Sequence, residues 1–161
     1  MVSFLWHAKH ELFHIVLGFA WAWALGYVWN QSYALMFLLA GIGGVLPDID
    51  HLIYFFTYGR HDAYSKNVFA LAKKHEWKSL VEYIETGHKK NTNLTFHNVY
   101  VTMFLVCCTI MLYWVDFRLS VVLLGAMVSH FIFDIIEDYM LLGALNSNWF
   151  RFGRPKSYSS L

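Results

Sequence analysis

Histidines and carboxylates recur in this chain at spacings that bring imidazole and carboxylate onto single helical faces. His10 and His14 are four residues apart, one helical turn, and Gly18 lies one turn further on. The turn Leu46-Pro47-Asp48-Ile49-Asp50-His51 offers three ligand-type side chains within four residues. His88 precedes Thr95-Phe96-His97-Asn98, and His130-x-x-x-Asp134 leads into Glu137 and Asp138. Neutral imidazole with carboxylate is a donor set that Zn²⁺ takes where thiolates are absent, and Mn²⁺ or Fe accepts it as well. Cys107 and Cys108 are adjacent in an apolar run and make neither a disulfide framework nor a Cys-x-x-Cys site.

The elements that must position these groups are apolar. Of 161 residues, 58% are hydrophobic and 14% charged, against about 45–50% apolar in soluble domains. Seven Trp and ten Tyr suit anchoring at both membrane interfaces. Four stretches approach the roughly 20 apolar residues that a membrane-spanning helix needs, at residues 12–29, 31–46, 98–115 and 119–143, with a polar insert at 52–96. The expected fold is one all-α integral membrane bundle over residues 1–161. Pro47 is expected to end the second span sharply, since the residue before proline is pushed out of the α region. In the insert, Trp77, Leu80, Val81 and Ile84 recur at helical spacing among Lys73, Lys74 and Lys78, so the pattern predicts an amphipathic helix over 63–86 ended by Gly87. It either lies on an anionic leaflet or caps the bundle. The first apolar segment lacks a basic leader and ends in Gly26-Tyr27-Val28-Trp29, without a signal-peptidase site, so it is expected to be retained. A net charge of +1 gives no concentrated basic surface for nucleic acid.

Orientation follows from the basic residues. Lys9, seven Lys/Arg of the insert, and Arg151, Arg154 and Lys156 fall on one side, and Arg118 alone on the other. The positive-inside rule then puts both termini and the insert in the cytoplasm, in a multi-pass inner membrane protein. Alternating spans bring the start of the first, the end of the second, the start of the third and the later half of the fourth to one layer. Asp134 would lie about 6 Å nearer the cytoplasm than His130 at the rise of a helix. Ionisable groups near a span's centre cost about 2.5–3.5 kcal/mol each, so those present usually face a protein interior and act there. Five or six such donors exceed one tetrahedral ion, which makes room for two metals with a bridging Asp. His7, His61 and His75 read as surface groups, Glu137 and Asp138 as residues at the wet end of their helix, and His10 as a partner to a ligating imidazole.

These residues resemble the membrane-bound metal-dependent hydrolase family (YdjM-like), whose motifs correspond here to His14 with Gly18, Leu46 through His51, His88 through His97, and His130 with Asp134. Lys89 stands where that pattern has Arg, and Phe96 where it has Thr. The family is distantly similar to zinc-dependent phospholipases C and P1-type nucleases. That resemblance implies a zinc centre, of two or three ions, that hydrolyses phosphoesters. It singles out His14, Asp48, His97, His130 and Asp134 as ligands, with His51 beside them and His10, His88, Glu137 and Asp138 as further candidates. Asp48 and Asp50 are the expected catalytic carboxylates, bridging metals or accepting a proton. The expected activity is zinc-dependent cleavage of an amphiphilic, lipid-like phosphoester at the cytoplasmic face, with the bilayer and that substrate as partners. One rival is a non-enzymatic membrane module whose metal only staples the bundle. A metal or proton translocator ranks below both, because the external halves of the spans are almost wholly apolar.

Overall fold

The computed structural model describes residues 2–31, 33–91, 94–145 and 147–150. Its helices are α1 (Val2–Trp29), α2 (Tyr33–Val45), α3 (Ile49–Phe56), α4 (Ala63–Lys73), α5 (Trp77–Asn91), α6 (Val99–Trp114) and α7 (Arg118–Leu142), with 3₁₀ turns at Leu46–Asp48 and Ser147–Phe150. The described residues contain no strand, and the fold is the all-helical membrane bundle expected. Among the described residues, three helical stretches are long and apolar enough to cross a membrane: His10–Trp29, Ala34–Phe56 and Arg118–Leu141. The expected third span is the shorter apolar α6, 16 residues long, which extends about 24 Å at the usual helical rise.

Pro47 does not stop the second span. Val45 and Asp48 keep right-handed helical dihedrals, and the amide of Ile49 reaches back to the carbonyls of Leu46 and Pro47. Proline is tolerated because it sits in the first turn of a new helical segment, where its missing N–H would have had no intrahelical acceptor. The apolar stretch therefore runs through α2, the 3₁₀ turn and α3, and carries Asp48, Asp50 and His51 with it.

α7 packs on α1, α2 and α6, and α1 packs on α2. One half of this bundle is closed by Ala22, Leu25, Met36, Ala40, Val121, Val122 and Ala126. The close approach depends on glycine: a Cβ at Gly43 would meet the Leu123 carbonyl at 2.5 Å, and one at Gly44 the His14 carbonyl at 2.9 Å. Small residues let the helix backbones meet where lipid supplies no hydrophobic drive between helices. Phe13, Trp23, Leu38, Phe104 and Ile132 are exposed on the outside, as a lipid-facing surface requires.

The insert holds two helices where the pattern predicts one. α4 ends at Lys73, His75 takes a left-handed φ of 59°, and α5 begins at Trp77. Gly87 lies inside α5, and the left-handed glycine cap belongs to Gly143, at φ 69° after α7. Of the apolar stripe, Leu80 and Ile84 pack on Tyr54, Tyr64 and Val68. Trp77 stays exposed. α5 also touches α1, so the insert leans on the bundle.

Candidate metal centre

Each helix contributes to the centre for a local reason. On α1 the i, i+4 spacing aligns His10 with His14, whose imidazole nitrogens Nε2 lie 2.9 Å apart. Asp48 heads α3 without using its side chain as a helix cap, so its oxygens are left for the histidines. His97 is held in the turn before α6 by Asn98, whose side chain accepts from the Val101 amide at 2.9 Å and donates to the Thr95 carbonyl at 2.6 Å. On α7 the i, i+4 pair His130 and Asp134 faces the other three elements.

Asp134 divides its two oxygens between two histidine pairs. Oδ1 lies 3.3 Å from His14 Nε2 and 3.5 Å from His10 Nε2. Oδ2 lies 3.1 Å from His130 Nε2 and 3.7 Å from His97 Nε2. Asp48 Oδ1 adds approaches of 3.7 Å to His130 Nε2 and 3.8 Å to His51 Nδ1. Ligands on one tetrahedral zinc, each about 2.0–2.1 Å from the ion, stand about 3.3 Å from one another. Among the described residues, four overlapping sets have ligand atoms within 4.8 Å of one another: His10/His14/Asp134, His14/Asp48/His130, Asp48/His51/His97 and His97/His130/Asp134.

These approaches do not add up to a satisfied hydrogen-bond network. Among the described residues, His14 Nδ1, Asp48 Oδ2, His97 Nε2, His130 Nε2 and Asp134 Oδ1 are buried with no hydrogen-bond partner. A buried polar atom left unsatisfied costs about 1–3 kcal/mol, so five in one place converge on something other than each other. The far nitrogens, in contrast, are held. His130 Nδ1 meets the Gly44 carbonyl at 2.7 Å, His97 Nδ1 meets Asp50 Oδ2 at 3.3 Å, and His10 Nδ1 meets Glu137 Oε1 at 3.1 Å. These oxygens, a carbonyl and two carboxylates, act as acceptors, so each Nδ1 carries the proton; at His97 and His130 Nε2 keeps its lone pair for a ligand, while His10 Nε2 meets His14 Nε2 at 2.9 Å. The donor set fits zinc. His14 and His130 are 0% exposed and stack at 3.7 Å between ring centroids. The side chains of Asp48 and His51, 22% and 28% exposed, form the open side.

The structure thus gathers His14, Asp48, His51, His97, His130 and Asp134, and brings His10 in with them. Asp50, expected beside Asp48, belongs to none of the four sets and stands behind His97. Glu137 stands behind His10. Asp138 does not occupy a wet helix end: it is buried and accepts from the Trp149 indole at 2.8 Å. The reason is the 3₁₀ turn Ser147–Phe150, which folds Trp149 back over the end of α7. His88 lies on α5 with its side chain outside the described ones, as does that of His7, whereas His61 and His75 are exposed as expected. Three contributors carried no sequence signal: the Gly44 carbonyl, Tyr58, whose hydroxyl donates to Asp50 Oδ1 at 3.2 Å, and Trp149.

The family model for YdjM inner membrane proteins matches residues 10–151, a stretch that contains every residue of the centre. The chain belongs to this family. No curated protein and no solved structure matches it.

Proposed function

We propose that this member of the YdjM inner membrane protein family is a metal-dependent hydrolase, zinc being the metal, that cleaves a phosphoester of an amphiphilic substrate at the cytoplasmic face. The observation that carries the reading is Asp134, whose two oxygens face two different histidine pairs, with Asp134 Oδ1, His97 Nε2 and His130 Nε2 buried and without a hydrogen-bond partner. When bound, a metal pair would supply Lewis acidity toward a phosphoryl oxygen and acidify water. His10 and His14 would hold one position, His97 and His130 the other, and Asp134 both.

The remaining work falls to Asp48 and the walls. Asp48 is on the open side, capping no helix, within reach of His130 and His51. It is the group best placed to take a proton from water and return it to a leaving alkoxide. Buried His14 and His130 close the inner side and exclude bulk water there. The basic residues of the termini and insert support a cytoplasmic opening, and the flanking apolar helices support a substrate with a lipid-like tail.

A metal that only staples the bundle would need no open side, whereas Asp48 and His51 provide one. The test is release of phosphate or headgroup from phospholipids and lipid-linked phosphates by zinc-loaded wild type, Asp48→Asn and a chelated control. Wild type should turn over, and Asp48→Asn should lose roughly 10²-fold or more, the scale of general acid–base assistance. Fully loaded wild type inert toward every phosphoester would overturn the hydrolase and leave the staple.

A further inference from the structure

We infer that Asp50 is a positioning residue that sets the tautomer and aim of His97, and that Tyr58 extends this hold into the insert; the inference rests on the metal centre proposed above. Asp50 is 1% exposed in the first turn of α3. Its Oδ2 accepts from the amides of Phe96 at 2.6 Å and His97 at 3.3 Å, and faces His97 Nδ1 at 3.3 Å. Its Oδ1 accepts from the Tyr58 hydroxyl, whose oxygen in turn accepts from the Thr95 amide at 3.1 Å. A carboxylate oxygen offers about two acceptor sites, so Oδ2 is fully used by its three donors, while Oδ1 is turned to Tyr58. Asp50 accordingly belongs to none of the four candidate ligand sets.

What Asp50 does instead is chemical bookkeeping at His97. A carboxylate accepts only, so Nδ1 must be the protonated nitrogen, and Nε2 enters the centre as a bare lone pair, buried and unpartnered, 3.7 Å from Asp134 Oδ2. The amides it ties down belong to the segment 95–97, so the same side chain places the His97 backbone and orients its ring. Tyr58 reaches Asp50 from the insert side, packed at 5.5 Å between ring centroids on Tyr54, which donates to Asp62 at 3.0 Å. The insert's tyrosines therefore brace one of the two metal positions. The His10/His14 position has its own brace in Glu137.

The test uses the purified full-length chain in detergent, titrated with Co²⁺ and followed by calorimetry and visible absorption, with ¹⁵N-histidine NMR of the metal-free form. Wild type should take up more than one ion and show His97 protonated at Nδ1. Asp50→Ala should weaken one position by about 10–100-fold, the usual cost of losing such a partner, with the other position unchanged. Asp50→Asn, which keeps shape and serves if the alanine variant does not fold, should shift the same position by less and alter its absorption. Tyr58→Phe should move it least. Wild-type affinity and an unchanged His97 tautomer in the Asp50 variants would overturn the inference alone, as would equal weakening of both positions. A wild type that binds no Co²⁺ would overturn the centre itself, and the role of Asp50 with it.

Discussion

Residues 121–126 and residues 130–134 of α7 both meet α1 and α2 with the turn after it, the second stretch meeting His97 as well, and they meet them with opposite chemistry. In the first stretch Val121, Val122 and Ala126 pack on Ala22, Leu25, Met36 and Ala40. The polar groups nearby are satisfied locally: the Trp21 indole donates to the Val121 carbonyl at 3.2 Å and Ser129 to the Gly125 carbonyl at 2.9 Å. In the second stretch His130 and Asp134 face His10, His14, His97 and Asp48 with buried atoms that have no hydrogen-bond partner. The bundle is capable of satisfying its polar atoms, as the first stretch shows. Where it does not, an external ligand accounts for the arrangement better than stability does, because each orphan costs about 1–3 kcal/mol.

Substitutions in the two stretches should therefore fail in different ways. The largest effect is expected from His130→Ala, which removes a proposed ligand lying between Asp48 and Asp134. Hydrolysis should fall by roughly 10²-fold or more if the site works as proposed, and metal content measured by mass spectrometry should drop, while the helical circular dichroism stays. Next comes Ala126→Asp, which buries a carboxylate in the apolar stretch with no partner. It should cost about 2.5–3.5 kcal/mol, read as a lower thermal midpoint or loss of the protein from membranes, with no specific change in metal affinity. Asp138→Asn is smaller again. It weakens a charge-assisted bond to Trp149 worth about 1.5–3 kcal/mol when wholly lost, and should lower thermal stability while leaving metal content intact. A variant that lost metal here would extend the centre beyond Asp134. The mildest test leaves function untouched: on a background without Cys107 and Cys108, cysteines at Asn30 and Lys74 should label from opposite sides of the membrane. Lys74 labelled from outside would reverse which half of the bundle faces the cytoplasm.

Much of this difference between stretches was legible in the sequence, because it rests on residue type. The apolar runs predict the helices, and alternation of spans predicts that His14, Asp48, His97, His130 and Asp134 share a layer. The spacing alone makes His10 a supporting residue, although its Nε2 faces Asp134 directly. Other features have no letter of their own. The Gly44 carbonyl that fixes His130 is backbone, one residue beyond Gly43, where the lack of a Cβ lets α2 close on Leu123 of α7. Pro47 follows a local stopping rule, but the helix restarts at once around it. The break between α4 and α5 has neither Gly nor Pro: His75 takes the left-handed turn, which histidine tolerates better than bulky or branched residues.

The central claim is that Asp134 serves two positions at once, and metal analysis of purified wild type beside Asp134→Ala tests it most directly. Wild type should retain more than one zinc-like ion per chain, and Asp134→Ala should lose both positions together, since Oδ1 and Oδ2 face separate histidine pairs. A wild type free of metal, or an Asp134→Ala protein that keeps the wild-type content, would contradict it.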